Sequence, residues 1–162
     1  MTAALLSVLS CTAPRLPEGL TTGDPLPAFR VEASDGMEYT PETLASGVSA
    51  VCFFNTSCPD CREELKVLQE VHEAHRDDLR MLLISRSEKE GPVASLWKEE
   101  GYTMPYSAQE DDKVFRLFAR STVPHLFLCL DGTVRFIHTD SPVADRETIE
   151  SEISQLSGEG RP

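Results

Sequence analysis

Apolar residues along this chain fall into short runs that alternate with amphipathic stretches. Residues 50–54 form a run of the length of one buried strand, and residues 63–75 carry apolar side chains at helical spacing. The same reading predicts a hairpin at 29–33 and 37–39, further strands at 79–85, 126–130 and 134–138, and further helices at 93–100, 114–118 and 143–156. Asp131-Gly132, between the last two strands, is typical of a two-residue hairpin turn.

The order of these elements predicts the fold class. Strands that alternate with helices favour a parallel βαβ unit, and the closing hairpin adds antiparallel strands. We therefore expect an α/β fold, with a central mixed sheet flanked by helices, an N-terminal β-hairpin extension and an inserted helix. One domain is expected over residues 24–156. A signal-like segment and a proline-rich linker would occupy residues 1–23, and a disordered tail residues 157–162.

Two cysteines separated by two residues stand at the predicted junction of a strand and a helix. Cys58 would lie where unpaired backbone N–H groups and the positive end of the helix dipole stabilise a thiolate. Cys61, one turn further on, would be shielded and would resolve a mixed disulfide. Pro59 suits the first helical turn. Asp60 favours the helix start, but its charge disfavours the neighbouring thiolate.

These motifs resemble the thioredoxin superfamily, and within it the TlpA/ResA-like oxidoreductases. That superfamily places Cys-x-x-Cys at the same junction and keeps a cis-proline before its next strand, a position that Val123-Pro124 matches. The resemblance implies a thioredoxin-like fold in which Pro124 faces the cysteine pair and the backbone of Val123 pairs with an extended substrate. The helix predicted at 93–100 would be the insert typical of the TlpA/ResA-like group.

Two further residues are candidates for the active site. Glu88 follows the strand at 79–85, at the edge of a parallel sheet where sites form. Some TlpA/ResA-like proteins carry an active-site glutamate in this stretch, so Glu88 would take the proton of Cys61. The alternative is a solvated carboxylate, and Glu90 is a rival position. His125 would line the substrate groove or act on a thiol proton; the alternative is a histidine at the rim.

The N-terminal segment resembles the end of a bacterial lipoprotein signal. Residues 8–11 read Val-Leu-Ser-Cys, so Cys11 would become a lipidated N-terminus after processing. The basic start of a signal peptide is missing from this segment, and the alternative is a disordered N-terminus that carries a free thiol. A lipid anchor at Cys11 would be the protein's contact with a membrane, because no apolar run reaches the length of a membrane span.

The net charge limits the expected partners, and the sequence around the remaining cysteines indicates whether they take part in the chemistry. The formal net charge is -12, from 27 acidic and 15 basic residues, and no basic cluster is visible. Nucleic acid is therefore not an expected partner. Cys52 and Cys129 each lie in a strand-like apolar run and are interpreted as buried, inert thiols. A second disulfide between these two cysteines is the alternative.

The sequence thus predicts a thiol-disulfide oxidoreductase that works through the Cys58-Pro59-Asp60-Cys61 dithiol without a cofactor or metal. Its partners would be protein disulfide or dithiol substrates and an upstream redox partner. The resemblance favours a reductant in the bacterial periplasm or cell envelope, and we expect the protein to be a monomer.

Two other functions stay open at this point. A peroxiredoxin-type peroxidase shares this fold, but that family has Pro and Thr or Ser where this chain has Val51 and Asn55. A non-catalytic module for metal or haem-pathway binding would use Cys58 and Cys61 as ligands. His72 and His75 could not complete such a metal site, because they lie about 16 Å or more along a continuous helix from Cys61.

Overall fold

The computed structural model describes residues 19–139 and 141–160. These residues form seven strands and four helices. In chain order they are β1 (Val31–Glu32), β2 (Glu38–Tyr39), β3 (Val48–Phe54), α1 (Pro59–Ala74), β4 (Leu79–Ser85), α2 (Glu90–Glu100), β5 (Tyr106–Ser107), α3 (Lys113–Phe118), β6 (His125–Leu130), β7 (Thr133–Thr139) and α4 (Arg146–Glu159). The predicted signal-like segment and its Cys11 lie outside the described residues.

A five-stranded mixed sheet in the order β5-β4-β3-β6-β7 forms the centre of the domain. β4 and β5 run parallel to β3, whereas β6 is antiparallel to both β3 and β7. β1 and β2 form a separate two-stranded hairpin. The predicted α/β class and the thioredoxin-like arrangement are confirmed.

The sheet is covered on both faces, which explains why every residue of β3 is buried. Successive side chains of a strand point to opposite faces. Cys52 and Phe54 pack with α1, α2 and α4, whereas Val51 and Phe53 pack with α3 and the N-terminal region. None of the described helices is both long and apolar enough to span a bilayer.

The register between β3 and β6 positions the functional region. Because the two strands are antiparallel, the end of β3 lies beside the start of β6, and Phe53 is the partner of His125. The cysteine motif follows β3 directly, and Val123-Pro124 precedes β6 directly. Two segments more than 60 residues apart in sequence therefore meet where β3 ends and β6 begins.

The N-terminal boundary predicted at residue 24 needs correction. Gly19 forms a β-bridge with Ala119, and the N–H of Leu20 donates to the carbonyl of Phe118 at 2.7 Å. The backbones can approach this closely because residue 19 is glycine: a Cβ there would lie 2.5 Å from the carbonyl oxygen of Phe118. Residues 19–23, predicted as linker, are thus part of the domain.

The C-terminal boundary is also later than predicted. α4 continues to Glu159, so residues 157–159 are helical rather than part of a disordered tail. The guanidinium of Arg135 on β7 donates to the carboxylate of Glu159, which holds the last helical turn against the sheet. Residues 161 and 162 of the predicted tail lie outside the described part of the chain.

We expect the stability of the core on the α3 side to depend on Phe118. Its ring is fully buried, and its centroid lies 4.9–5.5 Å from the ring centroids of Phe29, Phe53 and Phe127. Phe118→Ala should lower the free energy of unfolding by about 3–5 kcal/mol, because it leaves a cavity among these rings. Leu117→Ala is the matched control. Leu117 is 45% exposed and should change stability by no more than about 0.5 kcal/mol. Urea unfolding would measure both values, and equal losses would contradict this view of the core.

Candidate active site

Cys58 is the N-cap residue of α1. Its Sγ accepts a hydrogen bond from the backbone N–H of Cys61 at 3.2 Å, in the position where a cap side chain satisfies a free donor of the first turn. The side chain is half-buried, and the neighbouring Pro59 is exposed at the start of the helix. A sulfur at this position receives both a backbone donor and the positive end of the helix dipole. The sulfur of Cys58 therefore lies at the start of α1, where it is partly open to solvent.

Cys61 has the opposite environment. Its side chain has no exposed surface and belongs to the core cluster on the α1 face of the sheet. Burial raises the pKa of the Cys61 thiol well above its ordinary value, and contact with Cys58 and the charge of Glu64 act in the same direction. Cys61 therefore needs a nearby proton acceptor before it can act as a nucleophile.

Glu64 is the residue that the sequence analysis missed. It lies one turn after Cys61 on the same helix, with no exposed surface. Neither carboxylate oxygen has a hydrogen-bond partner within the described residues. Burial raises the pKa of Glu64 from its ordinary value of 4.5 to about 7. The sequence did carry a signal for this, since Glu64 lies four residues before Leu68 on the apolar side of the helix.

The loop before β6 faces the cysteine pair. The Val123–Pro124 peptide bond is cis, and the Sγ of Cys58 lies 3.7 Å from the carbonyl oxygen of Val123. Pro124 is buried, whereas Val123 is half-buried beside the reactive sulfur. The structure thus brings together Cys58, Cys61, Val123 and Pro124 of the predicted site. Asp60 is half-buried in the first turn of the same helix.

Glu88 contacts the loop before Cys58. Its carboxylate accepts from the backbone N–H of Thr56 at 2.9 Å and from the Thr56 hydroxyl. The carbonyl of Thr56 in turn accepts from the Nε of Arg62 at 2.8 Å. Glu88 therefore connects the end of β4 to the turn that presents Cys58. Thr56 thus occupies both carboxylate oxygens of Glu88.

His125 lies on the other face of the sheet from Cys61. Its ring stacks on Phe127, with centroids 4.6 Å apart and planes within 5° of parallel. Phe127 belongs to the core cluster on the α3 face, whereas Cys61 belongs to the cluster on the α1 face. The structure therefore does not bring the imidazole to the thiols.

Cys52 and Cys129 are both buried free thiols, as their apolar surroundings predicted. Cys52 lies on the α1 face of the sheet and Cys129 on the α3 face, so a disulfide between them would have to pass through the sheet. Burial raises the pKa of Cys52 above its ordinary value, and the charges of Glu64 and Cys61 raise it further. The thiol of Cys52 therefore lies near Cys61 and stays protonated.

Among the described residues no group of three or more histidine, cysteine, aspartate or glutamate side chains has the geometry of a metal site. The thiol of Cys58 lies against the Val123 loop, and the buried carboxylate of Glu64 follows Cys61 by one helical turn. This arrangement suits exchange of a disulfide and transfer of a proton.

Comparison with known proteins agrees with this geometry. Residues 22–137 match the AhpC/TSA family. None of the curated proteins is significantly similar in sequence. Solved structures with the same fold include a Bacteroides thetaiotaomicron protein assigned as a protein disulfide isomerase, with 21% identity, a TM-score of 0.75, and coverage of 87% of this chain and 92% of that one.

Two more solved structures belong to thiol-disulfide proteins by name. A Chlorobium tepidum protein assigned as the thiol:disulfide interchange protein DsbE has 20% identity and a TM-score of 0.76, over 86% of this chain and 99% of that one. The thioredoxin domain of a Bacteroides vulgatus thiol-disulfide oxidoreductase has 20% identity and a TM-score of 0.70, over 83% and 99%. At these identities the likeness establishes the fold, and together with the match to the AhpC/TSA family it confirms the resemblance stated above.

Burial of Glu64 should make stability depend on pH. Between pH 4.5 and about 7 the unfolded chain releases the Glu64 proton while the folded protein keeps it, so the contribution of this proton to stability is lost as pH rises. The raised pKa corresponds to about 3 kcal/mol. Relative to the wild type, Glu64→Gln should therefore gain about 3 kcal/mol of unfolding free energy between pH 4.5 and pH 8.

Urea unfolding at a series of pH values would measure this gain. Glu63→Gln is the matched control, because Glu63 is exposed on the same turn of α1. A stability difference between Glu64→Gln and the wild type that stays constant with pH would contradict the proposed state of Glu64.

Proposed function

The chain belongs to the AhpC/TSA family, and we propose that it is a thiol-disulfide oxidoreductase that exchanges disulfides with protein substrates through Cys58 and Cys61. One observation carries the proposal. A half-buried thiol at the N-terminus of α1 faces a cis-proline loop, and a buried thiol one turn later lies beside an unpartnered carboxylate. The first thiol is accessible to a substrate, and the second is placed to resolve the intermediate.

The first step belongs to Cys58. Its thiolate attacks one sulfur of a substrate disulfide, so a Cys58–substrate disulfide forms while the substrate S–S bond breaks. The second substrate sulfur leaves as a thiolate and takes a proton from solvent. The helix N-terminus stabilises the charge on Cys58 before the attack.

The second step belongs to Cys61 and Glu64. The Glu64 carboxylate takes the proton of Cys61, and the resulting thiolate attacks the Sγ of Cys58. The Cys58–Cys61 disulfide forms, and the substrate leaves with both sulfurs reduced. A dithiol partner upstream then takes up the disulfide and returns two electrons and two protons. No cofactor enters this cycle.

A pKa of about 7 suits Glu64 to this task. At neutral pH a large share of such carboxyls is ionised and can accept a proton, and the acid formed can return it. We assign proton transfer to Glu64 rather than to Glu88, because Glu64 lies on the helix turn of Cys61 and Glu88 is held by Thr56. Glu88 keeps a positioning role, since it fixes the turn that presents Cys58.

The surface around Cys58 would receive the substrate chain. The exposed Pro59 and the half-buried Asp60 form one side, and the loop of Val123 forms the other. The backbone of Val123 lies beside the reactive sulfur, so an extended peptide that pairs with it would present its disulfide to Cys58. His125 is not part of this surface in our proposal, because its ring packs on the opposite face of the sheet.

The setting of the reaction is part of the same proposal. A role as a reductant in the bacterial periplasm or cell envelope fits the thiol:disulfide interchange proteins that share the fold. In such an oxidising compartment an upstream dithiol partner is required to keep Cys58 and Cys61 reduced. Attachment through a lipid on Cys11 would hold a monomer at the membrane.

Trapping of the intermediate tests the assignment of the two cysteines. Cys61→Ser should accumulate a mixed disulfide between Cys58 and a substrate disulfide, because no thiol remains to resolve it. Cys58→Ser should accumulate none. Mass spectrometry after acid quenching and alkylation would identify the linked residue. A mixed disulfide on Cys61 in the Cys58→Ser variant, or none in either variant, would overturn the proposal.

The role of Glu64 is tested by the kinetics of resolution. Glu64→Gln should slow the attack of Cys61 on the mixed disulfide by about 10²-fold or more near neutral pH, and should leave the attack by Cys58 unchanged. Rapid mixing with a disulfide substrate, followed by acid quenching, would separate the two steps. Glu63→Gln, which changes an exposed carboxylate on the same turn of α1, is the control that should retain normal resolution. Equal resolution rates in all three proteins would remove Glu64 from the mechanism.

Peroxide reduction is the second candidate function, because the AhpC/TSA family also includes peroxiredoxins. The residues around Cys58 disfavour it: Val51 is buried in the middle of β3, and Asn55 bonds the carbonyl of Arg86 and the N–H of Ser57. Neither residue offers the hydroxyl or the proline that a peroxidatic cysteine of that family has beside it. Peroxide turnover that survives Cys61→Ser would favour the peroxidase over the exchange reaction.

A further inference from the structure

A second concave region lies at the other end of the domain from the thiols. It is a cavity of about 580 Å³ between the β1–β2 hairpin, the C-terminal end of α1 and the first half of β4. His72, which lines it, is 14 residues along α1 from Cys58, or about 21 Å at 1.5 Å per residue. The proposed exchange reaction makes no use of this cavity.

The shape of the cavity follows from the short edge strand. β5 pairs only with Leu83 and Ile84, so the first half of β4 has no strand beside it on that side. Met81 and Pro105 line the gap on the sheet side. Met37, which is 60% exposed, borders it from the hairpin. The cavity therefore offers apolar side chains to a ligand of moderate size.

Two acidic residues, Asp35 and Glu38, and two basic residues, Arg76 and Arg80, line the cavity. Asp35 accepts from the hydroxyl of Tyr39 and from the N–H of Met37, both at 2.9 Å, and Glu38 pairs with Arg30. Both acidic residues that line the cavity thus have partners within the hairpin.

The two arginines at the cavity lack an acidic partner. Neither Arg76 nor Arg80 forms an ion pair within residues 19–139 and 141–160, although the guanidinium of Arg80 donates to the carbonyl of Thr43. Apart from Glu38, which pairs with Arg30, the charged groups that line the cavity are Arg76, Arg80 and Asp35, so two positive charges face one negative charge in a chain with a formal net charge of -12.

His72 adds a polar group that lacks a partner. Its ring lines the cavity, and its Nδ1 is shielded from solvent without a hydrogen bond to any of the described residues. Because Nδ1 has no accessible surface, His72 contributes to the wall of the cavity and offers no hydrogen bond from this nitrogen to a ligand.

We propose that this cavity binds a small amphipathic carboxylate, with its apolar body against Met37, Met81 and Pro105 and its carboxylate beside Arg76 and Arg80. Guanidinium groups bind carboxylates through charge-assisted hydrogen bonds, which fixes the orientation of such a ligand. The apolar wall selects against small inorganic anions, and the arginines select against cationic amphiphiles.

Octanoate is a suitable probe, and methionine methyl groups report on it. In the full chain labelled with ¹³C at the methionine methyls, octanoate should shift the Met37 and Met81 signals saturably. The Met104 methyl, which lies in the core and does not line the cavity, should not move. Octylammonium should produce no saturable shift of Met37 or Met81. Saturable binding of octylammonium with equal affinity would overturn the proposal.

Variants of the two arginines complete the test. Arg76→Gln combined with Arg80→Gln should raise the octanoate Kd by about tenfold or more, because charge-assisted hydrogen bonds are lost. Gln keeps a donor for the carbonyl of Thr43. Arg116→Gln on α3 is the control and should leave the Kd unchanged. The rate of disulfide exchange should be normal in all variants, which verifies that they are folded. The absence of saturable shifts in the wild type, or an unchanged Kd in the double variant, would overturn the proposal.

Discussion

The antiparallel pairing of β3 with β6 is the constraint on which the rest of the site depends. Phe53 is the partner of His125 in this register, so the chain leaves β3 at the point where it enters β6. The cysteine motif and the Val123-Pro124 loop are therefore held together by the backbone hydrogen bonds of a sheet that is buried on both faces. A shift by one residue would turn every side chain of one strand to the other face, which the dense packing on both sides forbids.

The second physical feature is the buried carboxyl group of Glu64 on α1, which has no hydrogen-bond partner among the described residues. A buried carboxyl with no hydrogen-bond donor is costly in its charged form, and this cost is what raises the pKa of Glu64 to about 7. The protein thus gives up stability at neutral pH in order to keep a proton acceptor beside a thiol that burial keeps protonated. Cys58 and Cys61 have the same chemistry, but one lies at a helix terminus and the other in the core. These two environments separate the attacking sulfur from the resolving one.

Much of the fold could be predicted from the sequence, because strand-length apolar runs and helical periodicity determine local structure. The Cys-x-x-Cys spacing and Val123-Pro124 located the two halves of the site, and the resemblance to the thioredoxin superfamily implied that they would meet. The features that the sequence did not predict depend on tertiary contacts. Glu64 lies on the apolar side of the predicted helix, but it is one of several acidic residues in a charged stretch, and the packing of α1 establishes that it is buried. Glu88 follows a predicted strand, but its hydrogen bonds with Thr56 depend on the conformation of the turn before Cys58, which the sequence pattern does not predict. The place of Gly19 depends on a backbone contact with Phe118, which no local pattern reveals.

The most direct test of the central claim is a redox titration of the full chain in glutathione or dithiothreitol buffers, with alkylation and mass spectrometry to identify the reacting residues. We expect one reversible two-electron transition confined to Cys58 and Cys61, with Cys52 and Cys129 remaining thiols throughout. A potential near -270 mV, about that of thioredoxin, would fit a reductant. A chain with no reversible transition, or with one that includes Cys52 or Cys129, would contradict the proposed exchange mechanism.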